Sequence, residues 1–154
     1  MVVASKKGIC LLEFSGLTRA SDQLAKIEKR FDSTIKYGAS VYIDQLAIQL
    51  AAYFNRKLMV FDVPVDLRGT EFQCQVWDAL LKIPYGETRS YQQQAYSMNR
   101  PSAVRAVANA NRSNPVSILI PCHRVIGKSG ELIGYGGGLD RKRFLLDLES
   151  SESN

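Results

Sequence analysis

The stretch SYQQQAYSMNRPSAVRAVANANR, residues 90–112, decides the fold of this chain. Ser90 and Gln93 make an S-x-x-Q capping box, which predicts a short helix with Tyr91 in its first turn. NRPS (99–102) is a turn whose proline suits a helix start, and PSAVRAVANANR then forms the next helix. Two short helices joined by a tight turn predict a helix-turn-helix. On the second helix Ala103, Ala106 and Ala110 recur at i, i+3 and i+7, leaving a strip with almost no side chain beside a polar strip of Arg105, Asn109 and Arg112. In isolation such alanines need mean only helix propensity or packing against a neighbour. A major-groove reader would carry several long donors toward base edges. A smooth helix with one inserted arginine suits a minor groove, where a wedge can fill a vacated place in the base stack.

The charge distribution points the same way. Residues 1–81 hold ten Lys/Arg against nine Asp/Glu, residues 82–143 ten against three, and the last eleven residues none against three, so the net charge of +5 is concentrated around the helix pair. A basic segment can be an ordinary solvated surface; one that contains a helix-turn-helix fits a polyanion. With 154 residues and 45% hydrophobic content the chain can bury a core, as one domain or two small lobes. Cys10, Cys74 and Cys122 are odd in number and widely spaced, with no secretory leader, which predicts thiols in a reducing compartment. Three scattered cysteines and one histidine do not make a zinc site, so no metal is expected. No apolar run reaches membrane-spanning length, and the sequence reads as soluble.

Toward the N-terminus, GICLLEF (8–14) predicts a strand and SDQLAKIEKRF a helix with Leu24, Ile27 and Phe31 on one face. Ile43, Leu46, Leu50 and Phe54 predict a second helix, and MVFDVPVDL (59–67) an extended segment that Pro64 places at an edge. LRGT (67–70) is the expected boundary. Thr70 and Gln73 make a second capping box, opening a helix with the stripe Phe72, Val76, Leu80 and Ile83. The predicted organisation is a lobe at 1–68, a second domain at 69–149 and a disordered tail at 150–154.

Toward the C-terminus, VSILI (116–120) predicts a buried strand stopped by Pro121. Cys122 follows, beside the chain's one histidine, His123, and Arg124. A Cys-His pair is usually structural. Here a base and a positive charge adjoin the thiol, which favours the thiolate, and a water could carry the proton between neighbouring side chains. Glu149 closes the helix LDRKRFLLDLE; a carboxylate is what a catalytic imidazole needs to fix its tautomer, although a solvated charge is the simpler reading of the sequence alone. GYGGG (134–138) sets Tyr135 in a loop able to bend closely round a flat ligand, as any flexible glycine loop could.

With GETRSYQQ, AVRAVANANRSNP, ILIPCHRVIG and YGGGLDRKRFLLDLE in order, the chain closely resembles the O6-alkylguanine-DNA alkyltransferases over residues 64–149. Residues 1–63 more loosely resemble the N-terminal lobe of that family, nearest the C-terminal half of the bacterial adaptive-response protein, whose zinc-binding regulatory half is not expected here; the first strand region looks short. The resemblance implies an α/β (α+β) protein: a small N-terminal α/β lobe and a mostly helical C-terminal lobe with a helix-turn-helix of winged-helix type. It implies a methylated-DNA-[protein]-cysteine methyltransferase that acts once, moving an alkyl group from guanine O6, or thymine O4, in duplex DNA to Cys122.

In that reading His123 is the base, acting through a water and oriented by Glu149. Tyr91 donates a proton toward guanine N3, and Asn114 braces the turn into the site. Arg105 fills the gap left by the flipped nucleotide, with Ala106 and Arg112 on the same DNA-facing helix. Gln73, Gln92, Arg100 and Lys128 meet the DNA backbone. Tyr135, Val125 and Gly136 line the guanine pocket. The resemblance implies no cofactor and no metal, a monomer acting on double-stranded DNA through the minor groove, and a cytoplasmic location, or a nuclear one in a eukaryote. Ser117, Ile133 and Gly136 depart from residues that many relatives carry there and bear on pocket width. Competing readings predict other behaviour: an alkyltransferase-like binding protein lacks the cysteine, a transcription regulator binds one operator, and a cysteine hydrolase turns over repeatedly and needs an oxyanion hole.

Overall fold

A computed structural model describes residues 1–16 and 20–150. It divides into two compact units, Met1–Gly69 with Pro115–Ser117, and Thr70–Asn114 with the chain from Ile118 onward.

The first unit is built on an antiparallel hairpin of β1 (Val2–Ala4) and β2 (Ile9–Leu12), with Val2 opposite Leu12 and Val3 opposite Leu11. Gly8 must be glycine, because a Cβ there would run into the Pro64 carbonyl. α1 (Ala20–Phe31) sets Leu24, Ile27 and Phe31 against Cys10 and Leu11, the face its spacing predicts. α2 (Val41–Phe54) differs slightly from expectation: its most buried line runs through Leu46 and Tyr53, and Phe54 is 42% exposed. Positions seven apart fall almost on one azimuth, whereas Phe54, eight beyond Leu46, turns about 80° away from it.

Two predicted extended segments prove to be single bridges. In 59–67 only Val65 pairs, parallel to Ile9, with the Ile9 amide donating to Pro64 O at 2.8 Å and the Asp66 amide to Ile9 O at 2.8 Å. In 116–120 only Val116 pairs, with Leu12. VSILI is buried throughout, as its composition requires, but it turns at once: Ile118 has φ of +72°, which no strand can accommodate. Burial without a ladder explains why a short apolar run misleads here.

The second unit contains α3 (Glu71–Leu81), β3 (Arg89–Ser90), α4 (Tyr91–Ser97), α5 (Val104–Arg112), a 3-10 turn at Cys122–Arg124, β4 (Val125–Ile126) and α6 (Leu139–Ser150). Both capping boxes form: Thr70 Oγ1 accepts from the Gln73 amide at 3.2 Å and Ser90 Oγ from the Gln93 amide at 3.1 Å, and each glutamine side chain accepts from its cap residue's amide in return. α5 begins at Val104 and not at Pro101. Residues 100–103 form a turn, closed by the Ala103 amide on Arg100 O at 2.9 Å, so the proline sits before the helix. Ser150 belongs to α6 and not to a tail; residues 151–154 lie outside those described.

Directional bonds fix the three central helices. Trp77 is fully buried and its indole donates to Ala110 O at 2.9 Å, joining α3 to α5. Gln94 and Asn111, both buried, exchange amide hydrogen bonds of 3.2 and 2.7 Å between α4 and α5, and Gln94 Nε2 also reaches Val76 O on α3 at 3.3 Å. β3 and β4 pair in parallel, Arg89 with Val125 and Ser90 with Ile126, which brings the first turn of α4 beside the end of the Cys122 turn. Among the described residues no helix is long and apolar enough to cross a membrane.

Candidate active site

The 3-10 turn presents Cys122 and buries all three of its side chains. Asn114, just beyond α5, donates through Nδ2 to the Cys122 sulfur at 3.2 Å and to Ile120 O at 2.8 Å. One amide thus holds both the thiol and the backbone that leads into it.

His123 points the other way along the turn. Its Nε2 lies 2.8 Å from Glu149 Oε1, at the C-terminal end of α6. Glu149 is itself buried, so the solvated-charge reading of this residue does not hold. Burial alone would raise its carboxyl, but hydrogen bonds from His123 and Arg124 outweigh that and hold it down at about 2. Glu149 is therefore a carboxylate that can only accept, and His123 Nε2 must be the donor. In the neutral imidazole the lone pair then sits on Nδ1, which meets no protein hydrogen-bond partner. Burial lowers the His123 pKa, and the pull of Glu149 does not restore it.

Arg124 completes the group. Its Nε donates to Glu149 Oε2 at 2.8 Å, Nη2 to Oε1 at 3.0 Å and Nη1 to Ile83 O at 2.6 Å. By sequence Arg124 is a positive charge close to the sulfur. The structure gives it to the carboxylate, in a planar two-toothed contact.

Across the site, Tyr91 at the first position of α4 donates its hydroxyl to Ile133 O at 3.0 Å. Burial, and then the charge Cys122 can carry, push its phenol up to about 12, so it retains its proton. Two residues the sequence did not single out hold this wall. Lys142 on α6 is fully buried and donates to Val125 O at 2.5 Å and Ile133 O at 2.7 Å, tying β4 to the glycine loop. Burial lowers its ammonium to about 8. Gly134 has φ of +69°, and a Cβ there would come within 2.5 Å of Tyr91 Oη. The signal for Lys142 was present in the sequence: it lies three residues before Leu145 and seven before Glu149, on the face that α6 buries. Val125 and Tyr135 are buried and Gly136 is partly so.

Among the remaining predicted residues, Gln92, Arg100, Arg105, Ala106, Arg112 and Lys128 are exposed. Arg105, Ala106 and Arg112 share the outer face of α5 with Asn109. The alanine strip is not the continuous surface the spacing suggests: Ala110 is buried beneath Trp77, and Ala103 is the residue before the helix. Only Ala106 of the three lies open. Arg100 is held against α3, 3.3 Å from Gln75 Oε1 and over the Phe72 ring. Gln73 is occupied twice, in its capping box and by a 3.1 Å bond to Ser113 Oγ. Cys10 is a poor nucleophile, since burial and Asp66 raise its thiol to about 11. Among the described residues no group of three or more His, Cys, Asp or Glu could hold a metal ion.

Residues 71–151 match the family described as 6-O-methylguanine DNA methyltransferase, DNA binding domain. The methylated-DNA–protein-cysteine methyltransferase of Mycobacterium tuberculosis is 61% identical over 105 residues, 68% of this chain and 64% of the relative. The match thus spans just under two thirds of that relative's length. The inducible methylated-DNA–protein-cysteine methyltransferase of Bacillus subtilis is 47% identical over 126 residues, 82% of this chain and 70% of the relative. The crystal structure of Mycobacterium tuberculosis OGT in complex with DNA is similar with a TM-score of 0.81 at 47% identity, covering 97% of this chain and 85% of that one. The O6-methylguanine-DNA methyltransferase of the archaeon Pyrococcus kodakaraensis matches with a TM-score of 0.68 at 25% identity, over 96% of this chain and 89% of that one.

Proposed function

The chain belongs to the 6-O-methylguanine DNA methyltransferase family, and on that premise we propose that it repairs alkylated DNA by taking the alkyl group of O6-alkylguanine onto its own Cys122. The observation that carries this reading is the buried relay beside the thiol: Asn114 on the sulfur, and Glu149 fixing His123 with its basic nitrogen unengaged by protein.

The thiol proton passes through a water to His123 Nδ1. The sulfur attacks the alkyl carbon, forming a C–S bond as the C–O6 bond breaks and O6 takes the electron pair. Tyr91, still protonated, gives its proton toward N3 as the base departs, and the proton released from sulfur restores the balance. The products are a thioether and intact guanine. A thioether has no easy reverse step, so one chain acts once. The displacement needs no redox partner or Lewis acid, and the proposal includes no cofactor. Thymine alkylated at O4 offers the same bond to the same sulfur.

The base reaches Cys122 only if it leaves the duplex, which costs a few kcal/mol. We assign that task to the outer face of α5 lying in the minor groove, with Arg105 as the wedge, Ala106 permitting close approach, and Gln92, Arg100, Arg112 and Lys128 on phosphates. Tyr135, Val125 and Gly136 form the pocket. Gln73 has its side chain committed within the protein and is the least suited of the set.

The test is to mix the protein with duplex DNA containing O6-methylguanine and map the product by mass spectrometry. The expected result is one methyl on the peptide holding Cys122, a yield that stops at one per chain, and none in Cys122→Ala. Unrepaired DNA with an unmodified Cys122 would refute the assignment.

A further inference from the structure

We propose that Arg124 is a positioning residue that sets the proton state of His123, holding Glu149 as a fixed carboxylate and offsetting its charge so that the ring stays the neutral, Nε2-protonated base. This rests on the reading of His123 as base.

The geometry supplies the reason. Oε1 of Glu149 is shared by His123 Nε2 at 2.8 Å and Arg124 Nη2 at 3.0 Å, while Oε2 takes Arg124 Nε at 2.8 Å. A histidine beside an otherwise lone buried carboxylate would be drawn to protonate, forming its own ion pair. Here the carboxylate already has a cation, and Arg cannot surrender its proton. Protonating His123 would put two cations against one anion where none of the three side chains is more than 9% exposed. The charged groups that bear on the ring are Glu149 and Lys142 from α6 and Arg124 from its own turn. Lys142 adds a further positive charge that also disfavours the imidazolium. From the α3 side the turn meets the Ile83 carbonyl, which takes Arg124 Nη1 at 2.6 Å and so anchors the fork. Arg124 and Lys142 work with burial to lower the His123 pKa against the pull of Glu149.

Because His123 is the only histidine, its ring nitrogens can be followed by NMR in a 15N-labelled chain without ambiguity. In the unaltered protein the ring should be neutral at pH 7 with the proton on Nε2. In Arg124→Gln it should titrate at higher pH, and in Arg124→Lys, which keeps the charge, it should remain low. Alkyl transfer by Arg124→Gln at neutral pH should fall at least ~10-fold, within the ~10²–10⁴-fold that a general base supplies, and should recover as pH rises. A folded Arg124→Gln whose ring titrates as before overturns the proposal. If that variant does not fold, a ring already protonated at pH 7 in the unaltered protein, or a higher titration in Arg124→Lys, does so instead. The titration needs no DNA and no alkyl transfer. A protein that fails to take up methyl yet titrates as expected would refute the repair reading and leave this one standing.

Discussion

Tyr91 owes its place to an atom that is missing. Gly134 combines a left-handed backbone with contact against the tyrosine hydroxyl, so Gly134→Ala meets two penalties. The φ of +69° costs a non-glycine residue about 1 kcal/mol, and the methyl must displace Oη. We expect Gly134→Ala to melt earlier in urea by roughly 1–2 kcal/mol and to transfer alkyl groups about tenfold more slowly, a loss that single-turnover assays would read. The site also sets a pH dependence. Glu149 is held below its ordinary value, so its contribution to stability is complete above about 4.5 and is lost as pH falls toward about 2. His123 is held below its ordinary value too, and the unfolded chain takes up its proton first as pH falls below 6.5. Both act in the same direction: urea midpoints should drop steadily from neutral pH downward, and a Glu149→Gln variant should show a shallower acid limb between 4.5 and 2. Cys122 and His123 stood out in the sequence as a thiol beside the one imidazole, whereas the roles expected of Tyr91 and Arg105 came from the resemblance and not from their neighbours. Spacing alone sets Lys142 on the buried face of α6, but its two carbonyl acceptors, like the clearance at Gly134, exist only in the folded chain.

The helices show which elements can be read locally. The boxes at Thr70 and Ser90 involve residues three apart, so the sequence alone specifies them, and both formed as expected. Ser90→Ala removes the acceptor for the Gln93 amide and should cost about 1 kcal/mol. Because that cap opens the helix whose first residue is Tyr91, alkyl transfer should slow as well. VSILI illustrates the opposite case, where burial was legible but conformation was not. An apolar run is compatible with a strand or with a buried turn, and Ile118 chose the turn through a backbone angle that a β-branched residue seldom adopts. The Gln94–Asn111 pair offers a clean comparison. Asn111→Ala leaves the buried Gln94 Oε1 without its donor, while Nε2 keeps Val76 O, and should cost about 1–3 kcal/mol. Replacing both partners by apolar residues of similar shape, Gln94→Met with Asn111→Leu, should cost much less. Chemical melts of the two singles and the double would expose the coupling; additive losses would show that the amides do not act together.

At the scale of the whole chain, residues 82–143 carry ten Lys/Arg against three Asp/Glu, an excess larger than the whole chain's net +5, in the stretch that holds α4, α5 and the Cys122 turn. Affinity for duplex DNA should therefore fall steeply with salt, with a slope set by the number of phosphates neutralised, and show little preference for sequence. Arg112→Ala and Lys128→Ala should each reduce that slope by about one; titrations over several salt concentrations would measure it, and a flat dependence would remove these residues from the interface. The helix pair and this charge bias were legible together, because each is a property of neighbouring residues. The return of Pro115–Ser117 to the first unit was not, since a bridge from Val116 to Leu12 spans over a hundred residues and leaves no local trace.

Trp77, the sole tryptophan of the chain, is sealed within the second unit with its indole on Ala110 O. Its emission is consequently a private channel for that half of the molecule, blue-shifted while α3 and α5 stay joined and red-shifted once they part. The first unit carries Phe14, Phe31, Tyr37, Tyr42, Tyr53, Phe54 and Phe61 but no tryptophan, so an optical melt of the native chain followed by tryptophan emission can be assigned to the second unit with no dye attached.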